Sequence, residues 1–221
     1  MELRKITKTY GGREVLNVES LSIRKCEVLG IMGANGSGKT TLLRIMGNAL
    51  SPSSGEILDP YPPETVSALF GYQNYLTHLT CRNNLELLIR RMERNPKVGN
   101  KLCKERLGID VFEGKKYGAL SQGMKKRLAI YTTLLYPKNL YLFDEPTNGL
   151  DIEGIRVFME IVKELRVNAA IVISSHHSTE LQPICSRFAF MKDGKIAYQD
   201  NTDAIRDKFE TVNKAYHYWT N

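Results

Sequence analysis

No stretch of this sequence is long and apolar enough to span a bilayer. The longest apolar run away from turns, Leu128-Ala129-Ile130-Tyr131-Thr132-Thr133-Leu134-Leu135-Tyr136, is short and carries hydroxyls, whereas a spanning helix needs about 20 predominantly apolar residues. The amino terminus, Met1-Glu2-Leu3-Arg4-Lys5, lacks the apolar core of a secretory signal. The expectation is a soluble, cytoplasmic protein. Cysteine is scarce. Cys26, Cys81, Cys103 and Cys185 are scattered, with no C-x-x-C pair and no histidine at zinc spacing. That argues against a disulfide or zinc framework and leaves thiols packed as small hydrophobes. Internal repeats, low-complexity segments and linkers between autonomous domains are also lacking. The net charge of +7 is moderate. Solvated faces such as Arg90-Arg91-Met92-Glu93-Arg94 account for it. Attraction to anionic lipid or to nucleic acid would too, and charge alone does not choose between them.

What is present begins with length and composition. At 221 residues, 42% hydrophobic and 25% charged, the chain can bury a real core as one domain, or as a main domain with a subdomain. Its organising stretch is Gly33-Ala34-Asn35-Gly36-Ser37-Gly38-Lys39-Thr40-Thr41. An apolar run, Val28-Leu29-Gly30-Ile31-Met32, precedes it, and Leu42-Leu43-Arg44-Ile45-Met46 follows. Buried strand, glycine-rich loop, amphipathic helix is the context in which G-x-x-x-x-G-K-[ST] means a phosphate-binding loop. The loop amides form an anion nest at a helix N-terminus. Lys39 can reach the β- and γ-phosphates, and the Thr40 hydroxyl can ligate Mg²⁺. A nucleoside triphosphate is the ligand this pattern predicts.

Along the rest of the chain, residues 1–25 read as short strands around turns at Gly11-Gly12 and Asn17, with Tyr10 just before the first. Glu56-Ile57-Leu58 reads as a strand end. Val66-Ser67-Ala68-Leu69-Phe70-Gly71-Tyr72 reads as a buried strand ending at Gln73-Asn74. From about residue 80 to 136 the pattern is helical, with Asn95-Pro96 and Gly99-Asn100 punctuating it. Ser121 and Gly123 suit the start of a helix that runs to Pro137. Asn139 to Phe143 is a hydrophobic strand ending in Asp144-Glu145, and Ala169 to Ser175 is another, ending in His176. A helix is expected over 152–167, a hairpin at Asp193-Gly194, and a helix from Thr202 onward.

A strand-terminal Asp-Glu pair on its own is most often a solvated turn. Behind a phosphate-binding loop it gains a use, because triphosphate hydrolysis needs a Mg²⁺ partner and a group that orients or deprotonates water. Asp144 ends a buried strand, where a parallel α/β sheet places its ligand-facing residues. It suits the Mg²⁺, and Glu145 suits a general base.

Together these pieces resemble the nucleotide-binding subunit of an ABC transporter, over nearly the whole chain. The resemblance makes Tyr10 the adenine-stacking aromatic, Gly33–Thr41 the Walker A loop and Gln73 the Q-loop glutamine. Leu120–Met124 becomes the signature and Leu140–Asp144 the Walker B strand, with Glu145 following. Asn148-Gly149-Leu150-Asp151 becomes the D-loop and His176 the switch histidine. It implies an α/β fold of the P-loop NTPase, ABC type. A mostly parallel core sheet and an N-terminal antiparallel β-subdomain would occupy 1–75 and 137–221, and an inserted helical subdomain 76–136. It implies ATP contacts from Tyr10, Gly33, Asn35, Gly36, Ser37, Gly38, Lys39, Thr40 and Thr41. Ser121 and Gly123 would meet the γ-phosphate of ATP held by a second protomer, and Asp151 the partner's Walker A region. Mg²⁺ contacts would come from Thr40, Gln73 and Asp144, and catalytic roles fall to Glu145, His176 and Gln73. Adjacent His177 competes for the switch position, and His176 is preferred because it directly follows Ser174-Ser175. The implied partners are ATP, a second subunit arranged head-to-tail as a homodimer, and a transmembrane permease gripped by the helical region. Nucleic acid is not expected. The implied place is the cytoplasmic face of the cell membrane.

The sequence departs from the family pattern at the signature, where Gln122 replaces a glycine and Met124 a glutamine. Ser121 and Gly123, the phosphate-facing pair, remain. Ser-x-Gly-Met resembles signatures of drug-, haem- and lipid-export subunits, so export is the direction read here. A soluble ABC ATPase serving an assembly scaffold, as in iron–sulfur cluster assembly, would share the same motifs. A P-loop kinase or GTPase fits less well. Asn100-Lys101 is followed by Leu102-Cys103 rather than by a guanine-recognition motif, and a kinase leaves Leu120–Met124 without a use.

Overall fold

The computed structural model describes residues 1–71, 75–91, 99–176 and 178–220. Contacts divide the chain into two compact units. One comprises Met1–Ala68, Lys138–Glu145 and Val162–Asn221, and the other Leu69–Pro137 and Pro146–Ile161.

The first unit holds two sheets. In the smaller, β1 (Glu2–Tyr10) pairs antiparallel with β2 (Arg13–Ser22) on one side and β4 (Ser54–Leu58) on the other. Leu3, Ile6, Leu16, Val18 and Leu21 are buried along these strands, the alternation expected when one face meets a core. The turn read at Asn17 is absent. Asn17 sits inside β2, opposite Thr7, and its N–H donates to Gly194 O at 2.8 Å. A pairing partner overrides the local turn preference of asparagine.

The larger sheet has the order β5-β6-β7-β3-β8-β9. Its members are β3 (Val28–Gly33), β5 (Val66–Leu69), β6 (Leu140–Asp144), β7 (Ala170–Ser175), β8 (Arg187–Lys192) and β9 (Lys195–Asn201). Every residue of β3, β6 and β7 is buried, which explains their continuous apolar runs. Strands β6, β7, β3 and β8 run parallel, and β9 returns antiparallel through the hairpin at Asp193-Gly194. The parallel register pairs Ser174 with both Asp144 and Ile31, so β3, β6 and β7 end at one edge of the sheet. That edge is where an open parallel sheet binds ligands. Strand β5 is shorter than the sequence pattern suggests, and Tyr72 to Asn74 lie outside the described residues.

Helix α1 (Lys39–Met46) follows β3 and buries Leu42, Leu43, Ile45 and Met46. The C-terminal segment is two helices rather than one, α7 (Thr202–Phe209) and α8 (Val212–Thr220). Glu210 separates them at φ 65, a left-handed conformation that interrupts the helix. Helix α8 places the ring of Trp219 parallel to Tyr198 with centroids 5.0 Å apart, and Tyr216 edge-on to Phe190 at 6.1 Å. The short helix α6 (Ser178–Leu181), which carries no periodic pattern, follows β7.

The second unit is helical, with α2 (Cys81–Arg91), α3 (Gly99–Arg106) and α4 (Gln122–Thr133). The Asn84 side chain accepts from Leu76 N and donates to Leu76 O and Thr80 O, tying the approach segment to α2. The Tyr75 ring lies tilted against Tyr117, centroids 4.7 Å apart, and its hydroxyl shares a 2.7 Å hydrogen bond with Thr132. Helix α4 ends at Thr133 rather than Pro137. Helix α5 (Ile152–Leu165) buries Val157, Phe158, Ile161 and Val162 on one stripe. No helix among the described residues is long and apolar enough to cross a membrane.

One polar contact in the first unit carries a large energetic consequence. The Arg187 guanidinium donates to both Glu27 carboxylate oxygens, at 2.8 and 3.1 Å, to Ser22 O and to Gln199 Oε1. Arg187 and Glu27 are both buried. Removing one partner of such a pair leaves an uncompensated buried charge. Glu27→Ala is therefore expected to lower unfolding free energy by about 3–5 kcal/mol in urea titrations, and a loss below about 1 kcal/mol would contradict this reading.

Candidate functional site

The glycine-rich loop takes its shape from two steric facts. Gly38 caps α1 at φ 102, a region closed to most side chains. A Cβ on Gly33 would lie 2.4 Å from Ser37 Oγ and 2.8 Å from Met191 O, so only glycine allows the chain to double back there. The Ser37 hydroxyl is buried without a hydrogen-bond partner, an acceptor-seeking group that a bound oxyanion would satisfy. A cavity of about 330 Å³ opens over the loop. Tyr10, Asn35, Gly36, Gly38, Lys39, Thr40, Thr41 and Glu145, all picked out from the sequence, line it together with Val15. Tyr10 is half-exposed, with Lys8 Nζ 5.2 Å from its ring centroid. That leaves an aromatic face at the rim of the cavity.

Lys39 is almost fully buried. Its Nζ donates to Gly33 O at 2.7 Å and Ala34 O at 3.1 Å, and it lies 3.2 Å from Glu145 Oε1. The Thr40 hydroxyl donates to Asp144 Oδ2 at 2.7 Å, and the Ser174 hydroxyl donates to Asp144 Oδ1 at 2.6 Å. Glu145 leaves the strand at φ 47, and its N–H donates to Ser174 Oγ at 3.0 Å. Its Oε2 lies 2.9 Å from His176 Nδ1. With Glu145 ionised, Nδ1 is the donor, which leaves Nε2 as the acceptor nitrogen. One buried cation, two carboxylates, two hydroxyls and an imidazole thus form a continuous polar chain above the sheet edge.

Among the described residues no group of three or more His, Cys, Asp or Glu side chains could hold a metal ion by itself. The donor set nonetheless fits Mg²⁺, which binds through one or two carboxylates plus substrate phosphates and keeps several waters. Among the described residues, Thr40 Oγ1 and the Asp144 carboxylate are placed to offer oxygens for that.

The second unit carries the other predicted residues. Ser121 is the N-cap of α4, its Oγ accepting from Met124 N at 3.2 Å, as the sequence signal required. A Cβ on Gly123 would lie 3.0 Å from Gly149 O. Asp151 Oδ1 accepts from Arg127 Nη2 at 2.6 Å and from Gly154 N at 2.9 Å. Ser121, Gly123, Met124, Arg127, Gly149 and Asp151 share a cavity of about 430 Å³ with Gly108, Val111 and Phe112. Gln73 and His177 lie outside the described residues.

Two residues of these clusters have no counterpart among the sequence expectations. The sequence presents Ser174 only as the approach to His176, although a buried-strand hydroxyl directly after Ile171-Val172-Ile173 is itself a signal. Arg127 stands one helical turn beyond Gly123, where an (i, i+4) rule would have drawn attention to it.

Comparison with known proteins adds the following. The family described as "ABC transporter" matches residues 16–148. The chain is 33% identical over 202 residues to the ABC transporter ATP-binding protein NatA of Bacillus subtilis, covering 84% of this chain and 81% of NatA. It is 30% identical over 226 residues to the spermidine/putrescine import ATP-binding protein PotA of Mycoplasma mycoides, covering 96% of this chain and 64% of PotA. A dimeric structure of an ATP-binding cassette in a post-hydrolysis state, bound to ADP and Pi, superposes with a TM-score of 0.79 at 27% identity. It covers 90% of this chain and 97% of that one.

The Arg127–Asp151 contact has a pH signature. The hydrogen bond from Arg127, aided by the Gly154 N–H, holds the Asp151 carboxyl below its ordinary value. A depressed folded-state pKa means that the contact is fully present above the ordinary aspartate range and is lost as pH falls through the folded value. Asp151 is largely exposed, so solvent screens the pair and its effect on stability is small. The titration itself is the observable. By NMR the Asp151 midpoint is expected to lie below the ordinary value in the unmodified chain and to rise toward it in Arg127→Ala. An unmoved midpoint would contradict the assignment.

Proposed function

This chain belongs to the ABC transporter ATP-binding family, and we propose that it works as one half of a head-to-tail homodimer that powers export through a separate permease. The chain is an ATP-binding cassette and an ATPase. The observation that carries the catalytic part of this reading is the polar chain Thr40–Asp144–Ser174–Glu145–His176 set against Lys39. Each link is at hydrogen-bond distance, and all of it sits at the carboxyl edge of the parallel sheet.

The arrangement assigns a task to each side chain. Tyr10 offers a face for the adenine. The amides from Asn35 to Thr41 and the Lys39 ammonium take the β- and γ-phosphates. Mg²⁺, when bound, would neutralise charge that develops on the phosphates. Thr40 and Asp144 would hold it. Glu145 is an anionic partner of Lys39. The γ-phosphate then replaces that carboxylate beside Lys39 and leaves Glu145 Oε1 to accept a proton from the attacking water. His176 keeps Glu145 oriented through Nδ1.

Ser121, Gly123 and Asp151 would complete the partner's site. A helix N-terminus capped by Ser121 suits a γ-phosphate, and the dimeric state of the ADP- and Pi-bound cassette supports a dimer. The proposed metal role of Gln73 and the proposed helical grip on a permease rest on the resemblance alone. Export rests on the Ser-x-Gly-Met signature, and the PotA relative is named for import, so transport direction is decided by vesicle assay rather than by ancestry. The proposed location is the cytoplasmic face of the membrane, held there by the permease, with no nucleic acid partner.

Glu145→Gln keeps the side chain's shape and removes its basicity. Turnover is expected to fall by about 10²–10⁴-fold. Light scattering is expected to show a monomer without nucleotide and a dimer with MgATP. A persistent monomer at saturating MgATP would overturn the homodimer. A variant that still hydrolyses at the unmodified rate would overturn the role of Glu145.

A further inference from the structure

We propose that Ser174 is a positioning residue for hydrolysis: its one hydroxyl fixes both the Asp144 carboxylate and the backbone of Glu145. The inference rests on the ATPase reading above and adds a residue to it.

Ser174 lies on β7, directly opposite Asp144 of β6 and Ile31 of β3, and is fully buried. Ile171, Val172 and Ile173 precede it on the strand and Ser175 follows. A β-branched apolar residue would be the ordinary occupant of such a strand. The hydroxyl is accounted for by its partners. It has one proton to give, and Asp144 Oδ1 at 2.6 Å, being a carboxylate oxygen, can only accept it. A lone pair is then left for the Glu145 N–H at 3.0 Å. The directions of both bonds follow without ambiguity.

The two bonds control different things. Oδ2 of Asp144 already accepts from Thr40, so the bond to Oδ1 fixes the other oxygen and stops the carboxylate from rotating about its axis. Glu145 has φ 47, a conformation uncommon for a non-glycine residue and held only when its surroundings over-determine it. Its N–H is pinned by Ser174 twice, through Oγ and through the main-chain oxygen at 3.2 Å. That pinned turn is what brings the Glu145 carboxylate to Lys39 on one side and His176 on the other. Ser174 has no role in holding nucleotide and acts only through its two acidic neighbours.

The test uses the full chain with Ser174→Ala and Ser174→Thr, compared with the unmodified protein. Three experiments are run: steady-state kinetics for kcat and KM of MgATP, binding of a fluorescent ATP analogue in EDTA and in Mg²⁺, and thermal melting without nucleotide. Losing a hydrogen bond to a charged group predicts a kcat reduced by about ten- to a hundred-fold in Ser174→Ala. The gain in nucleotide affinity on adding Mg²⁺ should shrink, while affinity in EDTA stays within about two-fold. Ser174→Thr, which restores the hydroxyl, should recover most of kcat and of the Mg²⁺ gain. An alanine variant with unchanged kcat and unchanged Mg²⁺ gain would overturn the inference. So would an equal loss of EDTA affinity, of melting temperature and of kcat in both variants, since that is a merely structural role. An unmodified chain without Mg²⁺-dependent hydrolysis would instead overturn the ATPase reading itself.

Discussion

The hydrogen bond from Thr40 to Asp144 joins residues 104 positions apart, and the site depends on it. Thr40 opens α1 directly after the glycine-rich loop, and Asp144 is the last residue of β6. They meet because β3 and β6 are both parallel neighbours of β7 and run out at the same edge. Strand pairing therefore determines which carboxylate faces which phosphate-binding loop. The apolar runs that bury β3, β6 and β7 serve this alignment as much as they serve stability. A one-residue slip of β6 would point Asp144 to the opposite face of the sheet and move Glu145 away from Lys39.

Electrostatics ties Lys39 into the same junction. Lys39 is buried with two carbonyl oxygens and the Glu145 carboxylate around it, so its charge is compensated. Under the proposed mechanism a γ-phosphate would take the place of that carboxylate beside Lys39 and free Glu145 to act as base, with His176 Nδ1 on its other oxygen.

Much of this could be read in the sequence because it depends on local chemistry. The loop from Gly33 to Thr41, the acidic end of β6, the cap at Ser121 and the hairpin at Asp193-Gly194 each announce themselves by residue type and spacing. What could not be read depends on partners distant in the chain. Asn17 suggested a turn until Thr7 and Gly194 paired with it. The break at Glu210 has no proline or glycine to mark it. Ser174 looks like a spacer until β6 is laid beside β7. Arg127 acquires its meaning from Asp151, across a loop no periodicity connects to it. The α/β class and its parallel core follow from pattern, while the hydrogen bonds that tune the site follow from register.

The most direct test of this account is a double-mutant cycle on Thr40→Ala and Asp144→Asn, reading MgATP affinity by calorimetry against ATP affinity in EDTA. Two groups that act as one metal-holding pair should be strongly non-additive, with a coupling of about 0.5–3 kcal/mol that disappears in EDTA. The double variant should then bind MgATP no worse than the weaker single variant. Additive losses, or a coupling that persists unchanged in EDTA, would contradict the claim that the junction of Thr40 and Asp144 organises the site.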